Sequence, residues 1–351
     1  MRYRTIGQTG TSVSSFCLGT MMFGAWGNPD EGECAAMVDR ALDAGINFLD
    51  TADVYGQGES EEIVGRAIKG RRDDLVIATK CHQQMGTERN TRGGSRRWIV
   101  RAIEDSLRRL GTDRIDLFQI HRFPWGTDLD ETLGALSDLV HQGKVIHLGS
   151  STFPAERIVE AQWVAERRNR ERFVCEQPQY SIFARSIEES VLPTCQRYGM
   201  GVIPWSPLSG GWLTGKYQRG EAAPAGARFS GGTGPGYGRA VDQDRDADAR
   251  FDLVEALEVI AGEAGLTMTQ LALGFVDAHP AVTSTIIGPK TPGQLDDLLG
   301  AADVVLDAAT LDAVDKVVRP CTDAPGVMHR NGNPVHADAS LRRRRVTDVA
   351  P

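Results

Sequence analysis

The chain has 351 residues, of which 41% are hydrophobic, and a formal net charge of -8. This length suits one large barrel or two ordinary domains. The negative charge argues against a nucleic-acid binder, because phosphate contact requires a basic face. No apolar run reaches bilayer length and none follows Met1–Arg4, so we expect neither membrane insertion nor a signal peptide. The six cysteines form no CxxC pair, which is typical of free thiols in a reducing, cytoplasmic protein.

In chain order, short apolar runs alternate with segments of helical periodicity. Residues 1–15 predict a hairpin that covers the base of a barrel. The apolar runs that we interpret as strands are 16–21, 46–50, 74–80, 115–121, 145–149, 173–177, 201–207 and 284–288. The segments that we interpret as helices are 30–44, 59–69, 96–110, 130–142, 154–168, 187–198, 249–264, 268–278, 292–299 and 308–317.

Repeated β-α units of this length favour an α/β fold, a closed (β/α)8 TIM barrel with an N-terminal hairpin and long loops at its C-terminal mouth. We assign residues 1–318 to one barrel, with an insertion loop at about 217–248, and residues 319–351 to a polar tail. The Arg342–Arg345 run in that tail is expected to be solvated or disordered rather than a nucleic-acid patch. The alternative is an open doubly wound sheet, but Gly19–Gly24 lacks the GxGxxG turn that it requires.

Four polar residues, Asp50, Tyr55, Lys80 and His121, lie at or just beyond the ends of consecutive strands, which meet at one mouth of a barrel. A tyrosine hydroxyl titrates near 10 and is a poor acid at neutral pH unless a cation favours the phenolate. Lys80 can lower that pKa, and Asp50 can hold Lys80 by a charge-assisted hydrogen bond. Tyr55 can then protonate a carbonyl oxygen while hydride reaches the carbon, with His121 orienting the carbonyl.

Taken singly, each of these residues also fits a purely structural role, as a strand-end cap, a packing side chain or a solvated group. No His and Cys pair has the spacing of a metal site, and no GxSxG elbow is present, so we expect no metal. A glycosidase on the same barrel would need two carboxylates facing one bond. Asp50 is better explained as the partner of Lys80.

Several segments of the chain resemble the aldo-keto reductase superfamily. They are Leu49–Gly56, Ala78–Lys80, Leu117–His121, Ile203–Leu208 and Gly211–Lys216. The resemblance extends from the first hairpin to about residue 318. It implies a TIM barrel with a nicotinamide cofactor, normally NADPH, stretched across the C-terminal mouth. It also implies that the four strand-end residues form a catalytic tetrad.

The resemblance further implies which residues contact the cofactor. At the nicotinamide end these are Gly19, Thr20, Met21 and Asp50, then Ser151, Thr152 and Gln177 for the carboxamide, and Trp205 as the stacking ring. The loop that clasps the pyrophosphate would contain Ser206, Pro207, Leu208, Gly210 and Lys216. Thr152 replaces the asparagine that the family usually has.

Arg228 resembles a basic residue that reaches over the cofactor, or is a solvated loop arginine. The adenosine end would be held by Gly288, Lys290, Gln294 and Asp297. Lys290 is placed to meet a 2′-phosphate, so NADPH is favoured over NADH. Leu298 stands where the family often has asparagine.

We hypothesise that Met22, Trp26, Phe123 and Trp125 line the substrate pocket, although ordinary loop packing is the alternative. Flat apolar walls suit a sugar ring, an aromatic aldehyde or a polyketide-like ketone. The first interpretation is therefore an NADPH-dependent carbonyl reductase with a small-molecule substrate. Two alternatives remain. One is a cofactor-bound sensor or accessory subunit, like the cytoplasmic beta subunits of potassium channels, and the other is a dehydrogenase that oxidises an alcohol or sugar. A homo-oligomer is also compatible with the sequence.

Overall fold

A central barrel of eight parallel strands organises the computed structural model, which describes residues 1–231, 240–241, 246–325, 327–328 and 339–343. The strands are β3 (Phe16–Gly19), β4 (Phe48–Asp50), β5 (Val76–Cys81), β6 (Ile115–Ile120), β7 (Val145–Ser151), β8 (Phe173–Gln177), β9 (Gly201–Val202) and β10 (Thr285–Ile287). Neighbours along the chain pair in parallel from β3 to β9, and β10 pairs with β3. The prediction of a (β/α)8 fold is confirmed.

The ring closes between β9 and β10. The backbone N–H of Thr283 donates to the Val202 carbonyl at 2.7 Å, and the N–H of Ile286 donates to the Pro204 carbonyl at 3.0 Å. The predicted strand over 201–207 is shorter than expected. Proline at 204 has no N–H to donate to a ladder, and Trp205 makes only an isolated bridge to Gln179.

Helices surround the barrel in the order α1 (Glu31–Asp43), α2 (Glu59–Ala67), α3 (Arg96–Leu110), α4 (Leu129–His141), α5 (Ala155–Arg168), α6 (Val191–Arg197), α7 (Ala247–Glu263), α8 (Met268–Ala278), α9 (Pro292–Leu299) and α10 (Ala308–Val317). Local signals fix several ends. The Ser95 side chain caps α3, which stops at left-handed Gly111, and a capping box of Thr267 and Gln270 starts α8. Helix α1 packs on α9, which completes the outer layer.

Alternating side chains divide the core into two parts. One set of buried residues lies between the sheet and the helices, and a smaller set fills the barrel, including Phe48, Ala78 and Leu117. The predicted hairpin is present as β1 (Tyr3–Thr5) paired with β2 (Ser12–Ser14). Ile6 and Val13 of this hairpin join the inner set and plug the base of the barrel. The other mouth is therefore left for polar groups.

Parts of the predicted insertion loop and tail, including Arg344 and Arg345, lie outside the described residues. In the described part of the tail, Arg342 is buried, and both Arg342 and Arg343 form ion pairs with Asp315 of α10. The expectation of a solvated run is therefore wrong for these two residues. Asp315 also pairs with buried Arg185 at 2.9 Å. Opposite charges on α10 draw the two arginines onto the fold.

All six cysteines are described, and each is a buried free thiol. Within the described ranges, no single helix is long and apolar enough to cross a bilayer, and α7 with α8 passes that test only as a pair bent by 89°. In the same part of the chain, no group of three His, Cys, Asp or Glu side chains could hold a metal ion.

Candidate active site

The polar residues at the mouth continue the inward-facing positions of their strands. Asp50 follows Phe48 by two residues, Lys80 follows Ala78, and Gln177 follows Cys175, where the earlier residue of each pair belongs to the barrel interior. Because side chains alternate along a strand, each pair points the same way. The alternation that fills the barrel with apolar groups thus places these polar groups at its C-terminal end.

Lys80 is the centre of the hydrogen-bonded cluster. Its Nζ donates to Asp50 Oδ2 at 2.6 Å, to the main-chain oxygen of Thr51 at 2.8 Å and to the Tyr55 hydroxyl at 3.2 Å. Lys80 is fully buried and Asp50 is 2% exposed. Three acceptors therefore satisfy the three donors of the ammonium in a site without bulk water.

The ion pair fixes the charge state of Lys80. Burial works to lower the pKa of Lys80, but the attraction of Asp50 and Tyr55 outweighs it, and the pKa is raised. Burial raises the pKa of Tyr55 and outweighs the opposing effect of Lys80. Lys80 lowers the pKa of Tyr55, as the sequence predicts, but the hydration that the phenolate loses on burial has the larger effect, so the net shift is upward.

Two glutamines hold the other oxygen of Asp50. Gln177 Nε2 donates to Asp50 Oδ1 at 2.8 Å, and Gln119 Nε2 approaches the same oxygen at 3.4 Å. The resemblance assigns Gln177 to the cofactor carboxamide, which stays a prediction, and in this structure its amide orients Asp50. Gln119 was not identified from sequence, although it follows the interior Leu117 by two residues, which predicts its direction.

His121 lies directly after β6 and faces Tyr55. The two rings meet edge to face, with centroids 5.9 Å apart and an interplanar angle of 81°. Burial, with Lys80, Arg122 and His82 as neighbouring contributors, holds the pKa of His121 well below its usual value. The imidazole is therefore neutral at physiological pH and carries one N–H that it can donate.

The loop after β9 forms a compact basic cradle. Gly210 and Gly211 have φ of 68° and 99°, which favours glycine, and a Cβ at Gly211 would lie 2.5 Å from Lys216 Nζ. A Cβ at Gly210 would lie 3.2 Å from the side chain of Arg228. Burial and the nearby Arg228 lower the pKa of Lys216. Two cations beside a cradle that a side chain would fill fit the pyrophosphate of a dinucleotide.

The adenosine-end candidates surround the start of α9. The Thr291 side chain caps this helix, and the Lys290 N–H donates to Gln294 Oε1 at 2.8 Å. Asp297 is exposed and accepts a hydrogen bond from Thr269 at 2.9 Å, whereas Leu298 is buried in the core. Gly288 is exposed beyond β10. The helix N-terminus and half-buried Lys290 fit an anionic phosphate.

The remaining cofactor candidates line the nicotinamide end. Thr20 is fully buried, with its hydroxyl 2.9 Å from Ser60, and Ser151 donates to the Gln177 carbonyl at 2.9 Å. Trp205 Nε1 donates to Thr152 Oγ1 at 3.4 Å. Gly19 ends β3 and Met21 follows it, while Ser206, Pro207 and Leu208 lead into the glycine cradle. Their contacts with a cofactor stay predictions.

The four predicted pocket residues separate into two groups. The Trp26 ring lies 6.0 Å from the Tyr55 ring, and the Met22 sulfur lies 3.7 Å from Arg228 Nη2. Phe123 is buried against Phe153, with ring centroids 5.1 Å apart. Trp125 is 70% exposed and packs on Phe123 and Arg157. Trp26 adjoins the candidate acid, while Phe123 and Trp125 form an aromatic cluster toward α5.

Comparison with known proteins gives a consistent result. A model of the aldo/keto reductase family matches residues 15–319. The chain is 38% identical to the uncharacterized oxidoreductase YrpG of Bacillus subtilis over 328 residues, covering 90% of this chain and 96% of that protein. It is 36% identical to a probable voltage-gated potassium channel subunit beta of Arabidopsis thaliana over 329 residues, with 91% and 97% covered. Versiconal hemiacetal acetate reductase of Aspergillus parasiticus is 31% identical over 352 residues, with 93% and 99% covered.

Proposed function

Because this chain belongs to the aldo/keto reductase family, we propose that it is an NADPH-dependent oxidoreductase that reduces an aldehyde or ketone to an alcohol. The observation that carries the proposal is the buried Lys80, which is within hydrogen-bonding distance of both Asp50 and the Tyr55 hydroxyl. His121 stands edge-on to the same tyrosine. This arrangement supports proton donation to a carbonyl oxygen at one point of the mouth.

Each residue of the cluster has one task. The cofactor, when bound, supplies the hydride. Tyr55 is protonated at neutral pH because burial raises its pKa, and it donates its proton to the carbonyl oxygen. Lys80 stabilises the phenolate that results, and Asp50 holds Lys80 in place. The neutral imidazole of His121 donates a hydrogen bond that orients the carbonyl oxygen.

The choice of NADPH over NADH rests on one cation, Lys290, at the proposed site of the 2′-phosphate that only NADPH carries. Lys216 and Arg228 adjoin the glycine cradle, which suits the pyrophosphate. Lys290 precedes α9, where it suits a 2′-phosphate. The cytoplasmic location that the composition predicts is consistent with this cofactor.

The test follows the loss of reduced-cofactor absorbance with NADPH and a panel of aldehydes and ketones. We expect turnover by the unmodified protein and its collapse in Tyr55→Phe. Tyr198→Phe, which changes a tyrosine at the end of α6, is the matched control. Absence of NADPH binding contradicts the cofactor assignment and with it the proposed reaction.

A cofactor-bound accessory subunit is the second candidate function. It is favoured by the 36% identity to a protein described as a probable potassium channel beta subunit. His121 counts against it, since such subunits tend to depart from histidine there. Tight NADPH binding without turnover of any substrate would favour this candidate. A dehydrogenase that works mainly in the oxidative direction uses the same residues in reverse, and assays with alcohols and NADP⁺ separate it.

A further inference from the structure

Arg122 directly follows His121 and is held at the same mouth by several contacts. Its Nη1 donates to the His121 main-chain oxygen at 2.6 Å and to Thr152 Oγ1 at 3.3 Å. Its guanidinium carbon lies 5.7 Å from the centroid of the Trp205 ring. Contacts from three sides fix the orientation of the guanidinium between the candidate catalytic histidine and the candidate stacking ring.

The charge of Arg122 has no carboxylate partner among the residues that the structure describes. No Asp or Glu in those ranges lies within ion-pair distance of it, and its Nε and Nη2 donate none of the hydrogen bonds found there. Burial lowers the pKa of Arg122, yet a guanidinium stays charged in proteins. The edge formed by Nε and Nη2 is the one that binds a carboxylate or phosphate with two parallel hydrogen bonds.

The surroundings of Arg122 reinforce its positive field. His82 and His121 both have pKa values lowered first by burial, and Arg122 contributes to each. Arg92 acts on His82 in the same direction. A buried carboxyl that senses Arg122, that of Glu176, is already hydrogen-bonded by Ser150 and by the Phe153 N–H. Among the residues that the structure describes, the guanidinium of Arg122 thus lacks a carboxylate in direct contact.

We infer that Arg122 is a specificity-determining residue that binds an anionic group, a carboxylate or a phosphate, on the carbonyl substrate. This inference rests on the proposed function and names the substrate class for the same site. The guanidinium adjoins His121, so an oxyanion paired with it would place the remainder of a short substrate beside Tyr55. The preferred substrates are aldehydes or ketones that carry a negative charge a few atoms from the carbonyl carbon.

The experiment compares kcat/KM within matched substrate pairs. The pairs are 4-oxobutanoate with pentanal, 3-formylbenzoate with 3-methylbenzaldehyde, and glyceraldehyde 3-phosphate with glyceraldehyde. We expect the unmodified protein to favour the charged member of at least one pair by about 10-fold or more, and Arg122→Met to reduce that ratio by about 10- to 100-fold. The substrate pair whose ratio changes in Arg122→Met shows whether Arg122 binds a carboxylate or a phosphate. Added salt should lower the ratio in the unmodified protein and leave it unchanged in Arg122→Met.

The ratio within a pair cancels a general loss of activity in the variant. Arg122→Lys keeps the charge without the planar fork and should fall between the two proteins. Arg167→Met is the matched control, since Arg167 also lies over a tryptophan, Trp163, on the outer helix α5.

A ratio near one for every pair in the unmodified protein overturns the inference, while turnover of the neutral members upholds the proposed function. A rise in the Kd of NADPH with an unchanged ratio assigns Arg122 to the cofactor and also overturns it. Absence of turnover for every substrate contradicts the proposed function, and the inference falls with it.

Discussion

Lys80 Nζ lies 2.6 Å from Asp50 Oδ2, and both side chains are buried. Taking two opposite charges out of water is costly, and this cost is offset only where the remaining donors and acceptors are satisfied. Thr51 and Tyr55 complete the shell of Lys80, and Gln177 and Gln119 complete that of Asp50. The pair is therefore a rigid platform beneath the hydroxyl of Tyr55.

Removing one member of this pair should destabilise the fold. Lys80→Met leaves the Asp50 charge buried, and we expect a loss of about 3 to 5 kcal/mol in the free energy of unfolding. The double variant with Asp50→Asn should lose less free energy of unfolding than the sum of the losses in the two single variants. The reason is that the two residues interact directly, so removing both leaves no unpaired buried charge. Urea denaturation measures all three proteins, and Lys69→Met on the surface is the control. Strict additivity would contradict the coupling.

Tyr55→Phe should remove the proton donor without disturbing the barrel. We expect kcat to fall by about 10²- to 10⁴-fold, because general acid catalysis contributes about that factor. The Kd of NADPH, measured by fluorescence titration, should change little, since the hydroxyl faces Lys80. A variant with kcat close to that of the unmodified protein would exclude Tyr55 as the acid.

The two lysines near the predicted phosphates should affect cofactors differently. Lys216→Met removes a cation from the glycine cradle and should raise the Kd of both NADPH and NADH by about 10-fold. Lys290→Met should raise the Kd of NADPH alone, because only that cofactor carries a 2′-phosphate. Titrations of both variants with both cofactors decide this. Equal effects of Lys290→Met on the two would remove the basis for NADPH preference.

The pH dependence of activity should show no acid limb from His121. Burial keeps its pKa well below the usual 6.5, so the imidazole stays neutral as the pH falls from about 7.5 to that usual value. We expect kcat/KM for an uncharged aldehyde to stay nearly constant over that range. A decline with a midpoint near 6.5 that disappears in His121→Gln would show that the histidine titrates there.

The ionisation of Glu176 should lower the free energy of unfolding as the pH rises. Burial raises its pKa from 4.5 to about 7, so between these values the unfolded chain ionises before the folded one. A group that binds more protons when folded makes stability fall with rising pH, by about 3 kcal/mol for this shift once the pH exceeds the folded pKa. Glu176→Gln should remove that component. Urea denaturation at about pH 5 and about pH 8 should show the variant gaining relative to the unmodified protein at the higher pH.

The barrel and the position of its polar end could be predicted from the order and spacing of residues along the chain. Period-two alternation from Phe48 to Asp50 and from Ala78 to Lys80 gives the direction of each side chain, and helix caps such as Thr267 are local signals. The order of strands and helices then predicts that these ends meet at one mouth. Segments that resemble a known family pointed to the same four residues.

The net shift of the Tyr55 pKa and several side-chain contacts depend on tertiary structure and could not be predicted from local sequence. Lys80 lowers the pKa of Tyr55, but the sign of the net shift depends on how much hydration the phenolate loses, and burial is a property of the closed barrel. Phe123 turns toward Phe153 and α5, and Arg342 pairs with Asp315, because elements distant in sequence pack there. The free Nε and Nη2 edge of Arg122 also depends on tertiary structure. The loops that meet at the mouth bring no carboxylate within ion-pair distance of it among the described residues.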